Sequence, residues 1–378
     1  MGIYEEQAPQ MTAYEAALGP VPRGRAVVLG GGLSGLLAAR ALADTFEEVI
    51  VIERHSSPAV RPVQGQALSE AARHQLDGLF PGLSSELVAD GAAIAVPPSG
   101  ARPTSAFGAE RAGARLQFTE RFIQPYLYRR INSLDGVVML NACDALGLIS
   151  DRQRCVGVHI LQRSRSAAAR TIPAELVVDA MGAASRLCLW MEELWRIHIP
   201  CDRQVITQYA SRLYQPRGDP RMPSRIIDLR PAHPYRTAIT AVENDHYVVT
   251  VAGPSSPRVD AEQFDQLLRD LLPQHVAAAV VASRPAGPVI ISASAQIRRH
   301  FDQAERLPSN VIALGDSLCS CDPLVGRGFE VAILEASVLS QLLCEPHLYA
   351  DNGQPSELPR RYFRAAATIV DGEWVLGA

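Results

Sequence analysis

The 378 residues exceed what one ordinary core requires, so two intertwined domains or a domain with an added lobe are expected. A formal net charge of −4 gives no electrostatic reason to expect nucleic acid or an anionic membrane as a partner. All 36 Lys+Arg residues are arginines, which excludes a Walker-type phosphate lysine, a Schiff-base nucleophile and a pyridoxal phosphate aldimine.

In chain order, residues 1–23 carry three prolines and no apolar period, and read as a loose arm. Residues 26–29 are a short apolar run suited to a buried parallel strand. Gly30, Gly32 and Gly35 follow in G-x-G-x-x-G spacing, with Leu33 and Ser34 opening a helix that meets no breaker before Asp44. Gly30 permits the tight turn, Gly32 lets a pyrophosphate approach amides at the positive end of the helix, and Gly35 lets helix and strand pack closely. Residues 49–52 form a second strand ending in Glu53 and Arg54, and a carboxylate there suits the ribose hydroxyls of an adenosine. The acid argues against a 2′-phosphate, so the adenosine is that of FAD or NAD, and this motif alone leaves both open.

A proline-containing loop then leads to Gly65-Gln66-Ala67-Leu68 and a helical stretch through Leu79, broken at Pro81-Gly82 and resumed over residues 83–89. Residues 91–113 read as a loop, and residues 119–134 as a helix carrying Arg121, Arg129 and Arg130. Short β-like runs at 137–140, 145–149 and 155–161 suggest one antiparallel meander, and 176–180 another buried strand closing in Met181-Gly182. Residues 205–251 alternate like an antiparallel sheet. A helix is expected at 264–279, strands at 289–297 and 310–314, and a long apolar helix at 325–343.

The last strand ends in Gly315-Asp316, followed by Pro323-x-x-Gly326-Arg327-Gly328-Phe329 at a helix start. An acid at a strand end can accept from ribityl hydroxyls, and glycines at a helix start expose amides to a polar ring oxygen. The order of these parts resembles the FAD-dependent monooxygenases of the p-hydroxybenzoate hydroxylase fold, and within them the polyketide epoxidases of the monensin and lasalocid type. Stretches 79–83, 176–186, 315–336 and 362–366, with Asp371 and Trp374, carry the resemblance over roughly residues 24–375.

The resemblance implies an α/β fold: a Rossmann-like FAD-binding domain from residues 24–200 and 295–345, an inserted antiparallel β-sheet substrate domain at 201–294, and a C-terminal helical segment at 346–378. It implies that Gly30, Gly32, Leu33, Ser34 and Gly35 hold the pyrophosphate and that Glu53, with Arg54, meets the adenosine. Gln66 joins the cofactor site and Arg121 a phosphate; Gly315 and Asp316 meet the ribityl chain, and Gly326, Arg327, Gly328 and Phe329 the pyrimidine edge. In such enzymes NAD(P)H reduces the flavin and oxygen forms a C4a-hydroperoxide, which oxidises a small apolar substrate in a dry pocket. Arg327 and Pro323 are the flavin-side candidates for catalysis; no protein nucleophile is required.

The chain departs from the family at Met181, where threonine is common, at Cys321-Asp322, where Phe-Asn is usual, and at Arg327, where glutamine is usual. Arg327 beside the ring would stabilise an anionic reduced flavin or fill oxygen-binding space; the alternatives are a solvated or a salt-bridged helix-start residue. Flavin halogenases share the fold but rely on a lysine that this chain lacks. Three other readings stay open: an FAD-retaining cyclase of the [4+2] type with no net redox change, a nicotinamide dehydrogenase, which would leave Gly315-Asp316 unexplained, and a non-catalytic FAD-binding protein.

The remaining candidates have plain explanations. Cys319 and Cys321 read as small residues under a loop, and His198, His233, His246 and His300 lack metal-ligand spacing. About half of Tyr209, Tyr214, Tyr235 and Tyr247 are expected to face the pocket. Seven cysteines without C-x-x-C spacing fit reduced thiols and a cytoplasmic location, and no apolar run reaches spanning length. Oligomeric state is not legible.

Overall fold

A computed structural model describes residues 24–56, 63–95, 113–152, 154–163, 169–203, 206–217, 224–228, 234–253, 261–345, 349–350, 354–355 and 357–377. The N-terminal arm and most of the expected loop at 91–113 lie outside these residues, as does His233.

The centre is a five-stranded parallel sheet in the order Val311–Ala313, Leu176–Asp179, Arg25–Leu29, Glu48–Ile52 and Val137–Leu140. The inner strands are apolar on both faces because helices cover both, as a parallel sheet with crossover helices demands. The helix Leu33–Ala43 buries Leu36, Leu37, Ala38 and Ala39, and Gly328–Leu343 buries Val331, Ile333, Ala336 and Leu339. The alanines among them let the two helices, which are in contact, approach each other closely.

The strand at Val137–Leu140 corrects the expected meander. It pairs in parallel with Val49–Ile52 as the edge of the central sheet, and the meander is built instead from Cys143–Asp151, Arg154–Gln162 and Ala169–Pro173. Four apolar residues carry no information on pairing partner, and long-range register decides. Gly65–Leu68, where the sequence suggests no element, is a strand paired with Arg115–Thr119, which also pairs with Ala93–Ala95.

The insert is an antiparallel sheet of Arg225–Asp228, Arg236–Ala241, Tyr247–Gly253, Thr207–Gln215, Arg284–Pro285 and Ile290–Ser294. Its far face carries the expected helix, but as two pieces, Ala261–Leu271 and Gln274–Ala282, because Pro273 cannot continue the first. The expected strand at 289–297 also divides: Ile290–Ser294 stays in the insert, while Ile297–Arg299 pairs with Cys201–Arg203 and Cys319–Ser320. The long helix starts at Gly328, three residues after the expected Val325, because a 3-10 turn occupies Pro323–Val325. Leu187–Trp195 is a helix read only from structure, while the C-terminal helix Leu358–Gly377 occupies the later part of the helical segment expected at 346–378.

Not every described glycine is held by packing. Gly78 lies near the end of the helix Glu70–Leu79, exposed, and a methyl group there meets nothing within 4 Å. Gly78→Ala is expected to stabilise the fold by about 0.5–1 kcal/mol through lost backbone entropy of the unfolded chain, read as a rise in the urea midpoint at constant m-value.

Candidate functional site

The first glycine turn closes at the C-terminal end of the middle strand of the central sheet. Gly30 has φ +104°, which glycine alone adopts without strain, and its N–H donates to Ile52 O at 2.8 Å. A methyl group on Gly35 would stand 2.9 Å from Gly30 C and nearer still to its carbonyl oxygen, so helix and turn touch backbone to backbone. Gly32 is the N-cap of Leu33–Ala43; no side chain caps this end, and its first turn, with Leu33 and Ser34, holds no acid. Such an end fits an anion.

Glu53 is buried at the end of the second strand, where Oε2 accepts from Gly31 N at 2.8 Å and Oε1 from His55 N at 2.8 Å. The carboxylate is thus fixed beside the turn by backbone donors, with lone pairs left for further donors. Tyr128, unremarked in the sequence, donates to Gly31 O at 3.1 Å from the helix Glu120–Asn132. Arg121 stands exposed in the first turn of that helix, and Arg54 is exposed beside Glu53.

The second turn meets the first. Gly315 lies against the Ser34 side chain and donates to Glu335 Oε2 at 2.5 Å. Asp316 is the one exposed residue between Val311 and Ser320, and Gly328 lies within van der Waals reach of its carboxylate. Arg299, buried, holds this turn from beneath by donating to Asp316 O at 3.1 Å, Ser317 O at 3.0 Å and Ala183 O at 2.8 Å. Asp179 accepts from Met181 N at 2.9 Å, from Ser317 at 3.1 Å and from Ser185. Burial raises its pKa, against the hydrogen bonds, which lower it.

Residues 323–329 form the third side. Gly326 O accepts from Ala67 N at 3.0 Å, which brings Gln66 alongside, and Phe329 meets Phe118 edge to face at 6.2 Å. Pro323 opens the 3-10 turn, capped by Asp322 through Leu324 N at 2.9 Å. Asp322 is also ion-paired with Arg236 at 2.5 Å and accepts from Tyr209 OH at 3.0 Å. Arg327 is buried and donates to Glu330 Oε1 at 2.9 Å, so of the forms open from sequence it takes the salt-bridged one and not the solvated one. Of the four tyrosines, Tyr209 faces this turn; Tyr214 and Tyr247 stack at 5.7 Å in the insert's helix-side core, and Tyr235 packs against that core. Cys319 and Cys321 are free thiols 3.8 Å apart, and among the described residues no His/Cys/Asp/Glu group could hold a metal. No helix among them is long and apolar enough to cross a membrane.

Glu335 is fully buried below Gly315, and desolvation pushes its pKa up from an ordinary 4.5 to about 8. It is therefore protonated in the fold and ionised in the unfolded chain across that interval, so its contribution is complete below pH 4.5 and is lost as pH rises through 8. Glu335→Gln is expected to remove a stability slope of at most about 1.4 kcal/mol per pH unit. Urea midpoints at several pH values between 5 and 8 test this, and equal slopes in variant and parent refute it.

No family model matches the chain. Over 391 residues it is 28% identical to Protein Rv3254 of Mycobacterium tuberculosis, covering 94% of this chain and 80% of that protein. Among solved structures it is similar to the tetrameric form of 2-methyl-3-hydroxypyridine-5-carboxylic acid oxygenase, with TM-score 0.67, 17% identity, and 94% and 90% of the two chains covered. It is also similar to the flavin-dependent brominase Bmp2, with TM-score 0.65, 14% identity, and 90% and 82% covered. At these identities the likeness is one of fold, and the fold is the p-hydroxybenzoate hydroxylase type expected from the sequence.

Proposed function

We propose that this chain is an FAD-dependent monooxygenase, reduced by NAD(P)H, that epoxidises or hydroxylates a small apolar molecule of the polyketide or another secondary-metabolite class. The observation that carries the reading is the meeting of two glycine turns, Ser34 against Gly315 and Gly328 beside Asp316, at the ends of parallel strands. Nucleotides bind at such strand ends.

The residues fit FAD. The uncapped helix end at Gly32, Leu33 and Ser34, between Gly30 and Gly35, takes the pyrophosphate, and Glu53 with Arg54 takes the adenosine ribose. Gly315 and the exposed Asp316 carboxylate take the ribityl hydroxyls, while Gly326, Gly328 and Phe329 present backbone to the pyrimidine edge. Gln66 and Pro323 flank that edge, and Arg121 reaches a phosphate. FAD, when bound, supplies hydride acceptance and oxygen activation. The chain's own residues orient it, keep water out through the Tyr209, Ala238, Ala252 and Leu324 contacts, and offer uncharged N–H donors where negative charge collects.

Purified protein is expected to be yellow, with a bound-flavin spectrum, and a colourless, FAD-indifferent preparation defeats the reading. With substrate, one atom of labelled dioxygen enters the product and NAD(P)H is consumed; turnover without label or reductant assigns the chain to the non-redox cyclases instead.

A further inference from the structure

One departure from the family pattern lies at a helix start, and a carboxylate of the same turn answers it. Arg327 stands where family members carry glutamine, and three residues on, Glu330 receives it. Both are nearly sealed from solvent, Arg327 at 5% and Glu330 at 3% exposure. Glu330 Oε1 accepts from Arg327 Nη2 at 2.9 Å and from Ser69 Oγ at 2.7 Å, and Arg115 Nη1 lies 3.6 Å from Oε2. Ser69 is also the N-cap of Glu70–Leu79, so the carboxylate is pinned by a second helix. A guanidinium this deep needs a counter-charge, since a lone charge removed from water costs far more than the helix start can return. Glu330 sits in the first turn, where a carboxylate also suits the helix dipole.

A positive charge in this loop would act on a ring bound beside it, because burial leaves the charge little screened. The close Arg327–Glu330 pair acts only as a dipole, whose field falls off faster, while Arg115, farther from the carboxylate and 20% exposed, is the better screened guanidinium. We propose that Glu330 is a positioning residue that cancels Arg327, so that the flavin edge meets the neutral amides of Gly326, Gly328 and Phe329 and not a cation. The carboxylate sets the flavin's reduction potential by holding the guanidinium off the ring. This rests on FAD occupying the loop as proposed above.

The test uses FAD-loaded parent, Glu330→Gln, and the double variant Arg327→Gln with Glu330→Gln, with the midpoint potential and the absorption of the reduced flavin as readouts. In Glu330→Gln the uncompensated arginine is expected to favour the reduced, anionic flavin about tenfold, ~30 mV for two electrons. In the double variant the potential returns to within about threefold of the parent, ~15 mV. A yellow Glu330→Gln protein with unchanged potential overturns the inference, as does a double variant about tenfold less readily reduced than the parent. If Glu330→Gln does not fold, the double variant alone decides on that same criterion. A colourless parent defeats the FAD reading, and this inference with it, by a different observation.

Discussion

Replacing Gly35 with alanine is expected to give a protein that binds no nucleotide and unfolds early. The added methyl meets backbone, not a side chain that can rotate away: Gly30 C stands 2.9 Å off and Gly30 O closer. Relief requires the helix Leu33–Ala43 to lift from the turn, yet that helix buries eight of its residues, among them Leu36, Leu37 and Ala38. Overpacking costs about 1–3 kcal/mol, and a clash with backbone that cannot rotate away belongs at the upper end, a large share of a domain's net stability. The displaced element is the one whose amides face the proposed pyrophosphate. Thermal unfolding and flavin content are the measurements, with Gly78→Ala as the control that adds the same methyl in open space. A Gly35→Ala protein with parental flavin content and midpoint would show that the turn tolerates what the geometry forbids.

The glycine turns were legible because their rules are local. Gly30, Gly32 and Gly35 need only a strand before and a helix after, and both are where residues 24–54 place them. Glu53 and Asp316 followed from strand ends for the same reason. Pairing partners were not legible: Val137–Leu140 joined the parallel sheet and not the meander, a choice made by Glu48–Ile52 some ninety positions earlier in the chain. Tyr128 and Arg299 were missed because each acts on backbone carbonyls, at Gly31 and at Asp316, which leave no mark in a sequence. Glu330 did carry a signal. It stands three residues after Arg327, the spacing of an intrahelical ion pair, and reading Arg327 without it left its fate open.

Asp322 shows the same logic across a longer distance, and carries the second large expected effect. An aspartate where the family has asparagine puts a charge in a site with 1% side-chain exposure, and the structure supplies Arg236 at 2.5 Å, itself 13% exposed. Asp322 caps the Pro323–Val325 turn through Leu324 N and takes the Tyr209 hydroxyl, so its charge holds the insert sheet to the proposed flavin edge. Asp322 and Arg236 pull opposite ways on Tyr209: burial and Asp322 raise its pKa, while Arg236 lowers it. Arg236→Met strands the carboxylate in a dry site and is expected to cost about 3–5 kcal/mol. Asp322→Asn alone costs less, because the asparagine oxygen still accepts from Leu324 and Tyr209 while Arg236 keeps some access to water. Adding Asp322→Asn to Arg236→Met removes the stranded charge, so the double variant is more stable than Arg236→Met. A double-mutant cycle in urea measures that coupling, and additive losses would show that the two side chains, though adjacent, stabilise the loop independently.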